Sequence, residues 1–170
     1  NRNKSAPRVY YVGGEDQRVA LQSIGFESVR RVENADLISL SLYREHPDQY
    51  DEELFAMFEK ALELGTPMVC PNPDIHYIGR AKDGYCAGYF AGIYEHMGGN
   101  VLYVGKPYPR VFKHILEIAQ GELGGKNLKT LMGGDTLGTD VLGGERCGMD
   151  TALVVTGNAS VGLDHSVGEK

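Results

Sequence analysis

Short apolar runs alternate with longer amphipathic ones along this chain. Arg8-Val9-Tyr10-Tyr11-Val12 is a β-branched and aromatic run stopped by Gly13-Gly14, which predicts a strand and a turn. Residues 16–23 predict a helix ending at Gly25, and residues 36–42 a second, buried strand. Within 50–64, Leu54, Phe58, Ala61 and Leu62 recur at helical spacing, and Gly65 stands at the expected C-terminal stop. Residues 66–70 predict a third strand, cut by Pro71 and Pro73. A helix over 87–97 closes at Gly98-Gly99, and a strand over 101–104 runs into Gly105-Lys106-Pro107. Residues 111–119 predict a helix with Val111, Ile115 and Ile118 on one side. The remaining elements are a strand over 130–132 ending in Gly133-Gly134-Asp135, a short helix over 140–146 and a last strand over 152–155.

Strand–helix alternation with short apolar strands implies an α/β fold, a parallel sheet covered by helices. Ligands in such folds sit beyond the carboxyl ends of the strands. Three loops leave strand ends with polar residues: 72–74, 105–108 and 133–140. No internal repeat or low-complexity tract interrupts the pattern, and the polar tail 158–170 is expected to be frayed.

Composition narrows the partners. A formal charge of −6 argues against a general nucleic-acid binder, which needs a basic stripe to neutralise phosphates. A small phosphorylated ligand stays open, because one local cation and a metal outweigh the global field. Cys70, Cys86 and Cys147 are odd in number and lack Cys-x-x-Cys spacing, which fits a reducing compartment with thiols buried as small apolar groups. No run reaches the roughly 18 apolar residues of a membrane span, and the opening residues show no basic-then-apolar leader. The expectation is a cytoplasmic protein with no membrane partner.

Two strand-end loops could carry chemistry. In Gly133-Gly134-Asp135-Thr136-Leu137-Gly138-Thr139-Asp140, glycines let the backbone approach an ion or phosphate, and a carboxylate at the strand end offers hard oxygen to Mg²⁺. The plainer reading is that Asp135 ends a strand in a turn and Asp140 caps the next helix. In Gly105-Lys106-Pro107, a lysine held between Gly and Pro is a candidate fixed cation for an anionic substrate, although most such lysines are solvated surface groups.

The order of these loops resembles a family. Strand-Gly-Lys-Pro, a helix, then Gly134-Asp135-x-x-x-Thr139-Asp140 is similar to the third and fourth motifs of haloacid dehalogenase-like phosphohydrolases. The large-capped branch, containing nitrophenylphosphatases and phosphoglycolate or nucleotide phosphatases, is the nearest match. Asn72-Pro73-Asp74 after an apolar strand resembles that branch's cap signature, and Gly105-Lys106-Pro107-Tyr108-Pro109 its Gly-Lys-Pro-x-Pro. The segments 139–148 and 151–157 resemble its Thr-Asp-Ile-x-Gly-Ala-x-x-Gly and closing Leu-Val-x-Thr-Gly.

The resemblance implies an α/β cap over 1–103 and, over 104–170, the C-terminal part of a Rossmann-like core with helices on both faces of a parallel sheet. It implies a Mg²⁺-dependent phosphatase acting on a small phosphorylated metabolite through an aspartyl-phosphate. Lys106 would contact the phosphoryl group, Asp135 would bind Mg²⁺ and Asp140 would orient the metal site from behind. Asn72, Asp74 and Gly105 would lie near the substrate. Pairing of two copies through the cap is a further implication.

The departures are equally specific. The family's first motif, Asp-x-Asp-Gly, supplies the nucleophile and the general acid/base, and no Asp-x-Asp occurs in these 170 residues. Gly133 also replaces a usual β-branched residue. The chain therefore reads as a fragment, inactive alone, and the alternative to an enzyme is a non-catalytic phosphate-binding or interaction module.

Other residues weigh less. His46, His76, His96, His114 and His165 share no metal-ligand spacing. Cys86 precedes a predicted helix, where a thiolate could be stabilised, but a structural cysteine is the plainer reading. The tyrosines of 85–94 read as packing residues, and Asp51, Glu52 and Glu53 as the acidic opening of a helix.

Overall fold

The computed structural model describes residues 6–45, 51–77, 84–124 and 128–161. His46, Tyr50, His165 and most of the polar tail lie outside the described residues. The chain divides into two compact units between Val104 and Gly105.

The first unit contains β1 (Arg8–Val12), α1 (Glu15–Ser23), β2 (Glu27–Val29), β3 (Leu37–Leu40), α2 (Glu52–Leu64) and β4 (Met68–Cys70). It continues with β5 (His76–Tyr77), β6 (Gly84–Tyr85), α3 (Ala87–His96) and β7 (Val101–Tyr103). Five strands form one parallel sheet in the order β2-β1-β3-β4-β7. β5 and β6 pair separately as an antiparallel hairpin. β2 and this hairpin have no counterpart in the sequence pattern; they are two- and three-residue strands without an apolar run.

The core follows from strands buried on both faces. Ile38, Leu40, Phe58, Ala61, Met68, Cys70 and Ala91 are fully buried together. α2 presents Leu54, Phe58 and Ala61 to this core, as its spacing requires. Asp51 accepts the Leu54 N–H at 3.1 Å as the helix cap, and Gly65 closes the other end in the left-handed region. Tyr94 is buried against Phe58 and donates its hydroxyl to the Thr66 carbonyl at 2.8 Å, so this tyrosine is a packing residue. Among the cysteines only Cys70 is fully buried, contrary to the expectation for all three; Cys86 and Cys147 are half-buried because they sit at helix ends.

The second unit contains α4 (Pro109–Glu122), β8 (Leu131–Gly134), α5 (Leu142–Arg146) and β9 (Asp150–Leu153). β8 and β9 pair in parallel, Leu131 opposite Asp150 and Gly133 opposite Ala152. The pairing places both strands slightly off their expected spans: β8 extends through Gly134, and β9 starts two residues early. Pro109 opens α4, where its missing N–H costs nothing. The expected apolar side of that helix is corrected. Ile115 and Ile118 are 57% and 50% exposed, whereas Phe112 is buried against Gly143, where any side chain at 143 would overlap its ring. The short helix expected over 140–146 is likewise corrected: a π-helical turn (Leu137–Val141) precedes α5, so Asp140 lies inside a turn and not at a cap.

Candidate functional site

Lys106 and Asp140, 34 residues apart in sequence, form an ion pair in the second unit. Lys106 lies on the turn after β7, closed by the Tyr108 N–H donating to the Gly105 carbonyl at 3.0 Å. Its side chain is 38% exposed, while the Asp140 side chain is 3% exposed. The buried partner is thus the carboxylate, and its cation reaches towards solvent.

The π-helical turn delivers that carboxylate. The N–H groups of Thr139, Asp140 and Val141 all converge on the Thr136 carbonyl, at 3.4, 2.9 and 3.4 Å. The coil this creates turns Asp140 back, and its second oxygen accepts the Thr136 N–H at 3.1 Å. Gly134 makes the return possible, since a Cβ there would overlap the Asp140 carboxylate. A buried carboxylate with a cation and a backbone donor is the arrangement its desolvation demands.

Asp135 leaves β8 one residue after Gly134. One of its oxygens accepts the Asn158 N–H at 2.9 Å, and the other accepts the Thr136 hydroxyl at 3.3 Å. Asn158 also donates its side-chain amide to the Thr136 hydroxyl oxygen at 3.0 Å. Gly157, at φ +121°, permits this approach, because a side chain there would overlap Asp135. Sequence reasoning missed Thr136 and Asn158. Their role depends on residues 22 and 23 positions apart meeting, and no local spacing signals it.

The oxygen donors on this loop suit a hard cation. Asp135 is half-buried, and the buried Thr139 hydroxyl has no hydrogen-bond partner. Among the described residues no cluster of three or more His, Cys, Asp or Glu could hold a metal.

Asn72 and Asp74 belong to the first unit and Gly105 to the second. The Asn72 side-chain oxygen accepts the Asp74 N–H at 3.3 Å, forming a turn after β4. The Asp74 carbonyl accepts the Gly88 N–H at 3.1 Å, and Gly88 allows contact because a Cβ would overlap the Pro73 carbonyl. Cys70 donates to the Asn72 carbonyl at 3.3 Å; burial pushes its thiol up to about 12. Burial, with Asp74 adding to it, also raises the Cys86 thiol, so the helix start there does not stabilise a thiolate.

The second unit thus places a lysine paired with a buried loop aspartate and, on the same loop, a second, more accessible aspartate. Residues 103–167 match the HAD-hydrolase-like family model. Over 97 residues the chain is 35% identical to ribonucleotide monophosphatase NagD of Escherichia coli, covering 57% of this chain and 36% of that protein. It is 29% identical over 157 residues to an acid sugar phosphatase of Staphylococcus haemolyticus, covering 91% of this chain and 56% of that one. Among solved structures, a haloacid dehalogenase-like hydrolase from Brucella suis superposes with a TM-score of 0.75 at 25% identity, covering 95% of this chain and 64% of its own. A thermostable NPPase from Geobacillus stearothermophilus superposes with a TM-score of 0.68 at 29% identity, covering 98% and 62%. The chain spans less than two thirds of the length of each of these proteins. Residues 103–167 are thus similar to the haloacid dehalogenase-like hydrolases, and the chain shares the fold of the solved structures of that kind. Among the described residues no helix is long and apolar enough to cross a membrane.

Proposed function

We propose that the second unit supplies the cation and the metal-directed loop of a Mg²⁺-dependent phosphomonoester phosphatase, within a protein longer than these 170 residues. The observation that carries this reading is the Lys106–Asp140 pair beside Asp135 on one glycine-shaped loop. Asp140 fixes the lysine, so that its ammonium is held in place before an anion arrives. Lys106 then offsets negative charge on a transferring phosphoryl group. Asp135, oriented by Asn158 and Thr136, would hold the ion. A bound Mg²⁺ would neutralise phosphoryl oxygens and so favour attack on phosphorus.

The aspartate nucleophile of this reading is not among the 170 residues, which contain no Asp-x-Asp. The isolated chain is therefore expected to dock phosphate without turnover. In the same proposal the first unit is a cap, through which two copies pair in the cytoplasm, and the substrate is a small phosphorylated metabolite. The similarity to the ribonucleotide monophosphatase NagD and to an acid sugar phosphatase supports a phosphorylated small molecule as substrate.

The test is phosphate release from p-nitrophenyl phosphate by the complete gene product, with and without Mg²⁺. Lys106→Ala and Asp135→Asn should each lower kcat/KM by ~100-fold or more, the loss expected for a group that stabilises transition-state charge. Rates unchanged in both variants would remove the assigned roles.

A further inference from the structure

The segment that follows β9 folds back over the loop that follows β8. The Val154 N–H donates to the Gly134 carbonyl at 2.7 Å, which carries the contact between the two strands one residue past β9. The chain then turns through Gly157, in the left-handed region at φ +121°, and sets the Asn158 N–H on one Asp135 oxygen at 2.9 Å. Position 157 requires glycine on two counts: that φ, and the overlap any Cβ would make with the same carboxylate oxygen.

The Asn158 side chain reaches the same carboxylate by a second route. Its amide donates to the Thr136 hydroxyl oxygen at 3.0 Å, and that hydroxyl donates to the other Asp135 oxygen at 3.3 Å. A hydroxyl has a single proton and accepts through its lone pairs. With the amide N–H approaching from one side, the Thr136 proton is turned towards Asp135. Asn158 therefore acts on both carboxylate oxygens, on one through its N–H and on the other through Thr136. An ionised carboxylate offers about four lone-pair sites, so these two donors leave sites for a cation while fixing the direction in which they point. Such groups behind a metal ligand set its orientation, and a ligand already oriented loses less freedom when the ion arrives.

We propose that Asn158 is a positioning residue whose clasp is coupled to the cation: closing it orients Asp135 for the ion, and an ion on Asp135 holds it closed. This role rests on the metal-directed reading of the loop. By linkage the two effects share one sign and one size. The experiment follows the ¹⁵N-labelled 170-residue chain, with and without MgCl₂, by amide hydrogen exchange and amide shifts. Mg²⁺ should slow exchange of the Asn158 amide, saturating together with the shifts of Asp135 and Thr136. Asn158→Ala and Thr136→Val should each weaken Mg²⁺ binding about 10-fold, the loss expected when a partner that orients a metal ligand is removed. Because the side chain works through the hydroxyl, adding Asn158→Ala to Thr136→Val should cost nothing further. Thr136→Ser, which keeps the hydroxyl, should bind as the unaltered chain does. Additive losses, faster exchange of the Asn158 amide in Mg²⁺, or undiminished affinity in both single variants would overturn the proposal while leaving the metal reading intact. If Mg²⁺ moves no amide of residues 134–140 in the unaltered chain, the metal reading fails and this role with it.

Discussion

The two units organise their interiors by opposite means. In the first, a continuous apolar cluster runs through Ile38, Leu40, Phe58, Met68 and Tyr94, and the polar groups at its strand ends stay near the surface. In the second, Phe112 is the one large apolar side chain buried among the described residues, and the most buried side chain of the loop is the Asp140 carboxylate. Apolar burial stabilises in proportion to area and tolerates small shifts. An ion pair with one member buried is conditional: it holds position well but becomes a liability once either partner is lost. Apolar packing therefore holds the first unit, and the loop of the second is held by a charge pair.

Phe58→Ala should break the first half of this contrast most severely. Its ring is fully buried against Tyr94, so its removal is expected to cost about 3–5 kcal/mol in urea unfolding. A cost below that of any loop variant would mean the apolar cluster is not what holds the scaffold.

Lys106→Met probes the other half. It leaves the buried Asp140 carboxylate its hydrogen bond from the Thr136 N–H but no cation, for an expected loss of about 1–3 kcal/mol, reduced from the fully buried case because Lys106 is partly exposed. Combining it with Asp140→Asn should recover at least half of that loss, measured as a double-mutant cycle. Additive losses would show that the pair is not coupled.

The smallest effect is in pH dependence. The Cys70 thiol stands at about 12 in the folded chain against 9.0 unfolded, because burial disfavours the thiolate. Its folded value is raised, so its contribution is fully present below pH 9 and is lost as pH rises from 9 towards 12. Tyr94, also raised by burial, acts in the same direction. Unfolding free energy should be flat near neutrality and fall above pH 9, and a Cys70→Ala variant should fall less steeply. Iodoacetamide at pH 8.5 should modify Cys70 ~100-fold more slowly than a free cysteine.

How much of this was legible beforehand follows the same division. The buried strands and α2 carry dense apolar patterns, and the sequence predicts them closely. β2 is an edge strand reading Glu-Ser-Val, and the hairpin strands are two residues each; none carries a periodic signal. On α4 the aliphatic residues Ile115 and Ile118 pointed to one face, but Phe112 and its fit against Gly143 decided another. Lys106, Asp135 and Asp140 could be read because each follows a strand end in a glycine-rich loop. The ion pair, the π-helical turn and the Asn158 clasp could not, since each needs distant segments to meet.

The central claim is that the loop after β8 is directed at a cation through Asp135, with Asp140 committed to Lys106. Titrating the ¹⁵N-labelled chain with Mg²⁺ tests it without any turnover. The account predicts saturable shifts of the Asp135, Thr136 and Asn158 amides, abolished by Asp135→Asn and retained, if weakened, in Asp140→Asn. Shifts that survive Asp135→Asn, or that vanish only with Asp140→Asn, would contradict it.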